Sequence, residues 1–170
     1  MTIKSDSEKL IKAFDHMVEE VNQSIHRAEE ALKPGVEEMV NNAEKLARDL
    51  YTLTQEESAS LAKTLKQDMH KANEAMNQQG KELKDWLSFD LAIVEDKFID
   101  LIAQAADKTW LDFRAFESET QQASSYHTGE ICSAGTLACS HCGKHLHFKK
   151  TSHIPPCAGC HHSEFHRVVS

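Results

Sequence analysis

Four cysteines near the end of the chain have the spacing of metal ligands. Cys139 and Cys142 form one C-x-x-C pair, Cys157 and Cys160 form a second, and fourteen residues separate the inner cysteines. Two thiolates three residues apart at a tight turn bind one metal ion from the same side, and a second pair on a facing turn completes a tetrahedron of sulfur. All four coordination positions are then filled by the protein, which leaves none for water or substrate. The spacing therefore predicts a zinc ribbon with one structural zinc ion held by these four cysteines.

Three other kinds of cysteine chemistry stay open on spacing alone. A redox C-x-x-C usually stands alone at a helix start in a βαβ context, which this sequence does not show. Disulfides are typical of secreted proteins, but the N-terminal MTIKSDSEKL has no apolar signal region or cleavage site. Iron–sulfur ligation is the third alternative. The same N-terminus predicts a cytoplasmic protein, and no apolar run is long enough to predict a membrane span.

The chain changes character near residue 125. Residues 1–125 carry 15 Lys and Arg against 25 Asp and Glu, a net charge of −10. Residues 126–170 carry four basic and two acidic residues, a net charge of +2 before metal binding, and eight of the eleven histidines. Because the hydrophobic period changes at the same point, we predict two units: an acidic helical bundle or coiled-coil arm over 1–125 and a zinc ribbon over 126–170.

The front unit has the apolar periodicity of long helices. Apolar residues recur three and four positions apart, which keeps one stripe of each helix facing a partner helix. Pro34-Gly35 predicts a boundary between helices, and Thr54 with Glu57 forms a capping box that starts a helix near residue 55. The stripes are Ile11, Phe14, Val18, Val21, Ile25, Ala28 and Leu32; Val36, Met39, Ala43, Leu46, Leu50 and Leu53; and Leu61, Leu65, Ala72 and Met76.

A further apolar stripe predicts another long helix over residues 81–118. At 1.5 Å per residue such a helix would span about 57 Å, so it must fold back on its neighbours or pair with a second chain. We therefore expect an antiparallel bundle or hairpin of helices, with a homodimer through the stripes as the alternative. The predicted fold class is mainly α, with long antiparallel or coiled-coil-like helices followed by a small C-terminal β zinc ribbon.

The tail has the pattern of short strands. Residues 135–138 lead into the first cysteine pair, and residues 144–150 alternate, with Leu146 and Phe148 on one face and histidine or lysine on the other. Residues 165–168 predict a last strand after the second pair. A unit of about 45 residues buries little apolar surface, so metal binding is expected to supply most of its folding free energy, on the order of ten kcal/mol.

These residues together give a resemblance to a known family. The chain resembles the YbeL-like family of bacterial zinc-ribbon proteins of unknown function, most specifically over residues 98–168. The resemblance implies four zinc ligands and a helix-plus-ribbon architecture, and it implies no activity. The sequence departs from the family pattern at His161, where a zinc knuckle often has glycine, and at Cys132, where the family usually has an apolar residue. The residues that carry the resemblance are Asp107-Lys108-Thr109, Tyr126-His127-Thr128-Gly129-Glu130, Gly135, Leu137, Cys139-Ser140-His141-Cys142, Pro156-Cys157-Ala158-Gly159-Cys160, Phe165 and Arg167.

Several other side chains are candidates for chemistry. Cys132 is either a redox thiol, an alternative metal ligand, or a small buried residue, and we favour burial. His127 and Glu130 resemble an acid/base pair, but no nucleophile accompanies them, so a structural turn is favoured. The helical His/Glu pairs four residues apart read as exposed pairs rather than a di-iron site. The tail histidines offer a second metal site or a solvated surface, and we favour the surface: His141, His145, His147, His153, His161, His162 and His166.

The sequence predicts a non-enzymatic function. A four-cysteine zinc site is structural, and zinc ribbons serve as protein-docking modules in some proteins and contact nucleic acid in others. We expect a protein-docking adaptor or regulator in the cytoplasm, with a protein partner bound by the ribbon or the helical arm. A nucleic-acid- or ribosome-associated ribbon is the first alternative, and a thiol-based redox or zinc switch is the second. The candidate nucleic-acid contacts are Lys144, Lys149, Lys150, Arg167, Phe148 and Phe165.

Overall fold

A computed structural model describes residues 2–28, 35–78, 80, 82, 96–106 and 125–169. Within these residues the helices are α1 (Thr2–Arg27), α2 (Val36–Tyr51), α3 (Gln55–Asn73), which continues as a π-helical turn over Glu74–Gln78, and α4 (Lys97–Ala106). The strands are β1 (Tyr126–His127), β2 (Ile131–Cys132), β3 (Gly135–Cys139), β4 (His145–Phe148), β5 (Ser152–His153) and β6 (Glu164–Val168). This order confirms the predicted fold class, a mainly helical protein with a small C-terminal β ribbon.

The start of α3 is fixed by the predicted capping box. The Glu57 backbone N–H donates to Thr54 Oγ1 at 3.1 Å, and the Thr54 backbone N–H donates to Glu57 Oε2 at 2.8 Å. Two backbone donors at the helix end, which have no partner within the helix, are satisfied in this way. The predicted boundary at Pro34-Gly35 is also met, since α1 ends at Arg27 and α2 begins at Val36.

The helices pack into one bundle. α1 lies against α2 and α4, and α2 lies against α3. The antiparallel course of α2 and α3 is visible in two contacts: Lys66 pairs with Glu37 at 3.8 Å, and the Ser58 hydroxyl donates to Glu44 at 2.9 Å. Among the described residues, no helix has both the length and the apolar character that crossing a membrane requires.

The predicted apolar stripe of α2 is wrong at two positions. Leu46 and Leu50 were expected to face a partner helix, but they are 52% and 62% exposed, whereas Val40 and Ala47 are buried. The buried face of α2 is formed by Val36, Val40, Ala43 and Ala47, which a helix of 3.6 residues per turn brings together, and Leu46 lies to one side of this face. Leu50 lies in the last turn before the helix ends at Tyr51, and Leu53, after that end, is buried as predicted.

The last described helix falls within a predicted longer one. α4 covers Lys97–Ala106, and Phe98, Leu101 and Ile102 on its predicted stripe are buried against the other helices. Of the other positions in the helix predicted over 81–118, the structure describes only Glu82 and Asp96, and neither is helical. The Asp96 side chain accepts from the Phe98 N–H at 2.8 Å at the start of α4, so the prediction of one continuous helix is wrong at this point. Leu32, at the end of the first stripe, lies outside the described residues.

The ribbon contains two small antiparallel sheets. A four-stranded sheet has the order β1-β6-β3-β4, and β2 pairs with β5 in a separate two-stranded sheet. The predicted strands correspond to β3, β4 and β6, and on β4 Phe148 is buried and Leu146 half-buried while both histidines are exposed. The sequence did not predict β1, β2 or β5. Each of these has only two residues, too few to show a period.

The ribbon is packed directly on the helices. Ile131 and Ala134, on either side of the end of β2, belong to the same apolar cluster as the buried faces of the helices. β2 contacts α1 and α3, and β5 contacts α1. A second, smaller apolar cluster lies within the ribbon itself. The β2–β5 sheet is therefore one part of the ribbon that joins it to the bundle, across the predicted boundary at residue 125.

Candidate metal centre

Two turns of similar geometry carry the four cysteines. In the first, the Cys139 N–H donates to the Lys144 carbonyl at 2.9 Å and the Gly143 N–H to the Cys139 carbonyl at 2.9 Å. In the second, the Cys157 N–H donates to the His162 carbonyl at 3.0 Å and the His161 N–H to the Cys157 carbonyl at 2.8 Å. The first turn lies between β3 and β4, and the second precedes β6. The paired β3 and β6 strands hold the turns side by side, with Cys139 opposite Phe165.

The four sulfur atoms lie at the spacing of a metal site. Cys139 Sγ is 3.5 Å from Cys160 Sγ, Cys142 Sγ is 3.5 Å from Cys157 Sγ, and all four sulfurs lie within 4.8 Å of one another. A tetrahedron with zinc–sulfur bonds of about 2.3 Å has sulfur–sulfur edges of about 3.8 Å. The cluster therefore has the size and the donor set for one zinc ion, with sulfur at every position.

Backbone donors in the second turn favour a thiolate at Cys157, whereas at Cys160 the backbone hydrogen bond from His162 is outweighed by burial and the neighbouring cysteines, which raise the pKa to about 12. The Gly159 N–H lies 3.4 Å from Cys157 Sγ. Hydrogen bonds from the Gly159 and Cys160 backbone lower the pKa of Cys157 to about 6. Backbone N–H groups aimed at sulfur stabilise its negative charge, and the thiolate is the form of cysteine that binds metal.

His161 takes the backbone conformation for which such turns often use glycine. Its φ is +60°, close to the +74° of Gly143 at the corresponding position of the first turn. Left-handed φ values are strained for residues with a Cβ, although histidine tolerates them better than most. The departure from the family pattern at this position therefore leaves the turn geometry intact.

Cys132 lies apart from the metal cluster. It is fully buried on β2, and it is absent from the group of four close sulfurs. Burial, opposed by the Arg167 charge and reinforced by Asp68, raises the pKa of the Cys132 thiol far above its usual range. A thiol that keeps its proton is neither a metal ligand nor a good nucleophile. The structure thus supports the interpretation of Cys132 as a small buried residue.

Two histidines flank the metal cluster without forming a second site. His141 and His162 are exposed and stack with ring centroids 3.8 Å apart and planes 9° from parallel. Nitrogens of both rings lie within 4.8 Å of each other and of Cys160 Sγ. Ring nitrogens bind metals through lone pairs in the ring plane, so parallel stacked rings do not aim at a common ion, and Cys160 already belongs to the four-sulfur cluster. These histidines form part of the exposed surface.

His127 and Glu130 form a turn between β1 and β2. The His127 backbone N–H donates to Glu130 Oε2 at 2.8 Å, and the Glu130 N–H donates to the His127 carbonyl at 3.1 Å. Gly129 occupies the turn with φ +93°. The Glu130 carboxylate is therefore used to close its own turn, which agrees with the structural interpretation of this motif.

The sequence missed a buried polar cluster between α3 and the ribbon, which we call the Asp68 cluster: Asp68, Tyr126, Ser133 and Arg167. Asp68 is fully buried, and it accepts hydrogen bonds from Arg167 Nη2 at 2.7 Å, Tyr126 Oη at 2.5 Å and Ser133 Oγ at 2.5 Å. The Ser133 backbone N–H donates to it at 3.2 Å, and Arg167 Nη1 donates to the Ala134 carbonyl at 3.2 Å. A buried carboxylate requires such partners, and here all of these come from the ribbon.

Both ionisable donors of this cluster keep their protons. Burial, and then the Asp68 charge, raise the pKa of Tyr126, so the phenol keeps the proton that it donates. Burial is the largest single influence on the pKa of Arg167 and lowers it, but Asp68 and the other neighbouring groups together raise it above its usual value. The guanidinium also lies 5.2 Å from the centre of the Tyr126 ring. One signal was present in the sequence: Asp68 occupies the position that the α3 stripe leaves empty between Leu65 and Ala72.

Burial also changes the list of candidate nucleic-acid contacts. The Arg167 side chain is 1% exposed, Phe165 is fully buried and Phe148 is 8% exposed. The side chains of these three residues are buried, so a polyanion cannot contact them. The exposed candidates are Lys144, Lys149 and Lys150.

Comparisons with known proteins agree with this architecture. A family described as zinc-ribbon containing domain matches residues 23–169. The chain is 22% identical over 159 residues to the uncharacterized protein YbeL of Escherichia coli K12, and the alignment covers 94% of this chain and 96% of that protein. The YbeL proteins of strains O6:H1 and O157:H7 match to the same extent. No solved structure matches the chain significantly. The family match and the sulfur cluster together confirm the predicted cofactor, one structural zinc ion.

Proposed function

The chain belongs to the family of proteins with a zinc-ribbon containing domain, and on that basis we propose that it is a non-enzymatic adaptor whose ribbon docks onto a partner protein in the cytoplasm. Membership of this family accounts for the zinc site and for the zinc-ribbon architecture. The docking role is supported by where the ribbon is anchored and which part of it stays exposed.

The opposite ends of one strand have different surroundings. On β6, Phe165 pairs with Cys139 beside the metal cluster, and two residues later Arg167 reaches Asp68 inside the helical bundle. The ribbon is thus attached to the bundle at the Arg167 end of β6, and the two cysteine turns lie at the other end of this strand. This is the observation that carries the proposal, because a rigidly mounted, exposed turn pair is suited to contact another molecule.

Both cysteine turns are exposed. We call the exposed side chains around them the knuckle surface: Ser140, His141, Lys144, Ala158, His161 and His162. They include both cationic and neutral groups, and they are fixed on a backbone that zinc holds rigid. Since four cysteines fill the zinc coordination shell, the metal supports the shape of this surface rather than binding a substrate.

The alternatives have less support in the described residues. A nucleic-acid surface would rest on Lys144, Lys149 and Lys150 alone, next to an arm with a net charge of −10. A redox switch that uses Cys132 as a resolving thiol would need a thiolate at a fully buried position whose pKa is raised.

Affinity capture with the full-length, zinc-loaded chain tests the proposal. We compare the wild type with the double variant His141→Ser and Lys144→Ser, which alters the knuckle surface without touching a cysteine. The matched control is Lys45→Ser with Lys63→Ser, two exposed positions on α2 and α3. Zinc content is measured for each variant so that loss of capture is not loss of the ribbon.

The proposal expects a protein that survives nuclease and high salt, is lost with the knuckle variant and is kept with the control. Capture that the knuckle variant leaves unchanged would contradict it. Material that absorbs near 260 nm, is removed by nuclease and loses affinity steeply with salt would favour the nucleic-acid alternative.

A further inference from the structure

Asp68 is a helical residue whose charge is balanced by the ribbon. Its side chain is fully buried on α3, and the groups that donate to it are the Arg167 guanidinium, the Tyr126 phenol and the hydroxyl and N–H of Ser133. None of these donors lies on a helix. Buried charge is tolerated in a protein only while such partners remain in place.

The metal end of the ribbon positions these partners. β6 pairs with β3 in a continuous ladder in which Cys139 lies opposite Phe165 and Leu137 lies opposite Arg167. β1 pairs with the other side of β6, with Tyr126 opposite Phe165. Tyr126 and Arg167 are therefore carried by a sheet that begins at a metal ligand.

The ribbon has little else to hold that sheet. Its own buried cluster has eight members, and two of them, Cys139 and Cys157, are ligands of the metal cluster: Tyr126, Cys132, Leu137, Cys139, Phe148, Ile154, Cys157 and Phe165. A core of this size does not fold alone, and zinc binding is then coupled to folding. Without the metal, the sheet loses the cluster that fixes its cysteine end, and only its contacts with the helices remain.

A second carboxylate links the helices to the ribbon backbone. Asp96, directly before α4, accepts from the Phe98 N–H at 2.8 Å through one oxygen and from the Thr151 N–H at 3.0 Å through the other. Thr151 precedes β5, and Ser133 follows β2, so both acidic residues bind the ends of the same two-stranded sheet. The helices thus bind the ribbon through two carboxylates, that of Asp68, which is fully buried, and that of Asp96, which is half-buried.

We propose that zinc occupancy in the ribbon and the packing of α3 are coupled through the Asp68 cluster. When the ribbon is metal-free, Arg167 and Tyr126 leave Asp68, and α3 opens around the uncompensated carboxylate. Coupling between two sites is reciprocal, so a change at Asp68 alters zinc affinity although Asp68 is not a zinc ligand. Such coupling would let metal loss or thiol modification at the ribbon change the helical surface. It holds whether or not the ribbon docks onto a partner.

Hydrogen exchange of the full-length protein gives the first test. Amide exchange is compared for the reduced protein with zinc and with a chelator in excess. The proposal expects residues 61–72 of α3 to exchange at least about tenfold faster without zinc, with or without a change in α1 and α2. If faster exchange is confined to residues 126–169, the proposal is overturned.

Zinc affinity of a helix variant gives the second test. Chelator competition compares the wild type with Asp68→Asn, which keeps the shape of the side chain and removes its charge. The matched control is Glu19→Gln, since Glu19 also makes an interhelical pair, with Lys97 at 2.7 Å, but is 41% exposed. We expect Asp68→Asn to weaken zinc binding by about 10- to 100-fold and the control to change it less than about twofold.

A milder change guards against a variant that does not fold. Tyr126→Phe removes only the phenol that donates to Asp68, and it is expected to weaken zinc binding by about threefold to tenfold. Unchanged zinc affinity in a folded Asp68→Asn protein, or an equal loss in Glu19→Gln, would contradict the coupling.

Discussion

Position in the fold, and not burial alone, separates Cys132 from the four cysteines that form the metal cluster. At the scale of the residue, all five thiols are chemically alike, and Cys139 and Cys157 are as buried as Cys132, but Cys132 lies on β2 away from the two turns. Backbone N–H groups lower the pKa of Cys157, while burial raises that of Cys132. Position in the fold therefore decides which thiols are available for chemistry.

The first prediction compares Cys132→Ala with Cys142→Ser. We expect Cys132→Ala to bind one zinc ion as the wild type does and to lose about 1 kcal/mol of stability, because a small buried group is removed. Cys142→Ser replaces a ligand with a poor one and should lower zinc affinity by at least about a hundredfold. Native mass spectrometry and chelator competition measure both, and a loss of zinc from Cys132→Ala would show that Cys132 belongs to the site.

His161 is strained at the same position where the first turn has glycine. Replacing it by glycine removes the cost of a Cβ at φ +60°, and we expect a gain of about 0.5–1 kcal/mol in the stability of the zinc-bound ribbon. Ala158→Gly is the control, since Ala158 is exposed in the same turn and has no positive φ, so it should lose stability. Thermal unfolding of both proteins with zinc is the measurement, and equal effects would mean that strain at His161 is negligible.

At the scale of the element, α3 begins where a local pattern fixes it. The capping box needs only Thr54 and Glu57, three residues apart, so it is visible in the sequence and present in the structure. The apolar stripe of a whole helix depends on where a partner helix lies, and the stripe predicted for α2 is wrong at Leu46 and Leu50, which are exposed. The sequence thus predicts a cap formed by two near neighbours better than it predicts which face of a whole helix is buried.

The capping box should give a pH-dependent contribution to stability. The Thr54 backbone N–H and the nearby Lys9 lower the pKa of Glu57 below 4.5, so its stabilising effect is present above that value and is lost as the pH falls through the lowered pKa. We expect Glu57→Gln to be less stable than the wild type near neutral pH, with the difference disappearing well below pH 4.5. Urea unfolding across this range measures it, and a constant difference would contradict the prediction.

The hydroxyl of the capping box is tested separately. Thr54→Ala should lower the free energy of unfolding by about 1 kcal/mol at every pH, because it removes an acceptor that does not titrate. The same urea unfolding series measures it, and a loss that varied with pH as that of Glu57→Gln does would show that the two effects are not separate.

At the scale of the whole molecule, the helices and the ribbon share a core and a buried charge pair. Ile131 and Ala134 pack among the helical residues, and Asp68 pairs with Arg167 across 99 positions of sequence. The two predicted units have different composition and different periods, yet each depends on groups from the other. Folding of the ribbon should therefore affect the stability of the bundle.

The last prediction concerns that buried pair. Asp68→Ala leaves Arg167 buried without its carboxylate and should lower the free energy of unfolding by about 3–5 kcal/mol. The double variant Asp68→Leu with Arg167→Met removes both charges and should recover most of this loss. Glu19→Ala, at an exposed pair, should cost less than about 1 kcal/mol. Denaturant unfolding with zinc present measures all three, and a small loss in Asp68→Ala would mean that the pair contributes little.

The sequence by itself determined the features that depend on near neighbours in the chain. These are the two cysteine pairs and hence the ligand set, the change from helical to strand periodicity, the cap of α3 and the break before α2. Only the tertiary structure decided that Asp68 and Arg167 are buried and that Leu46 and Leu50 are exposed. The physical reason is that burial depends on contacts between residues far apart, such as the 65 positions between Asp68 and Ser133, and no local pattern encodes which distant partner will arrive.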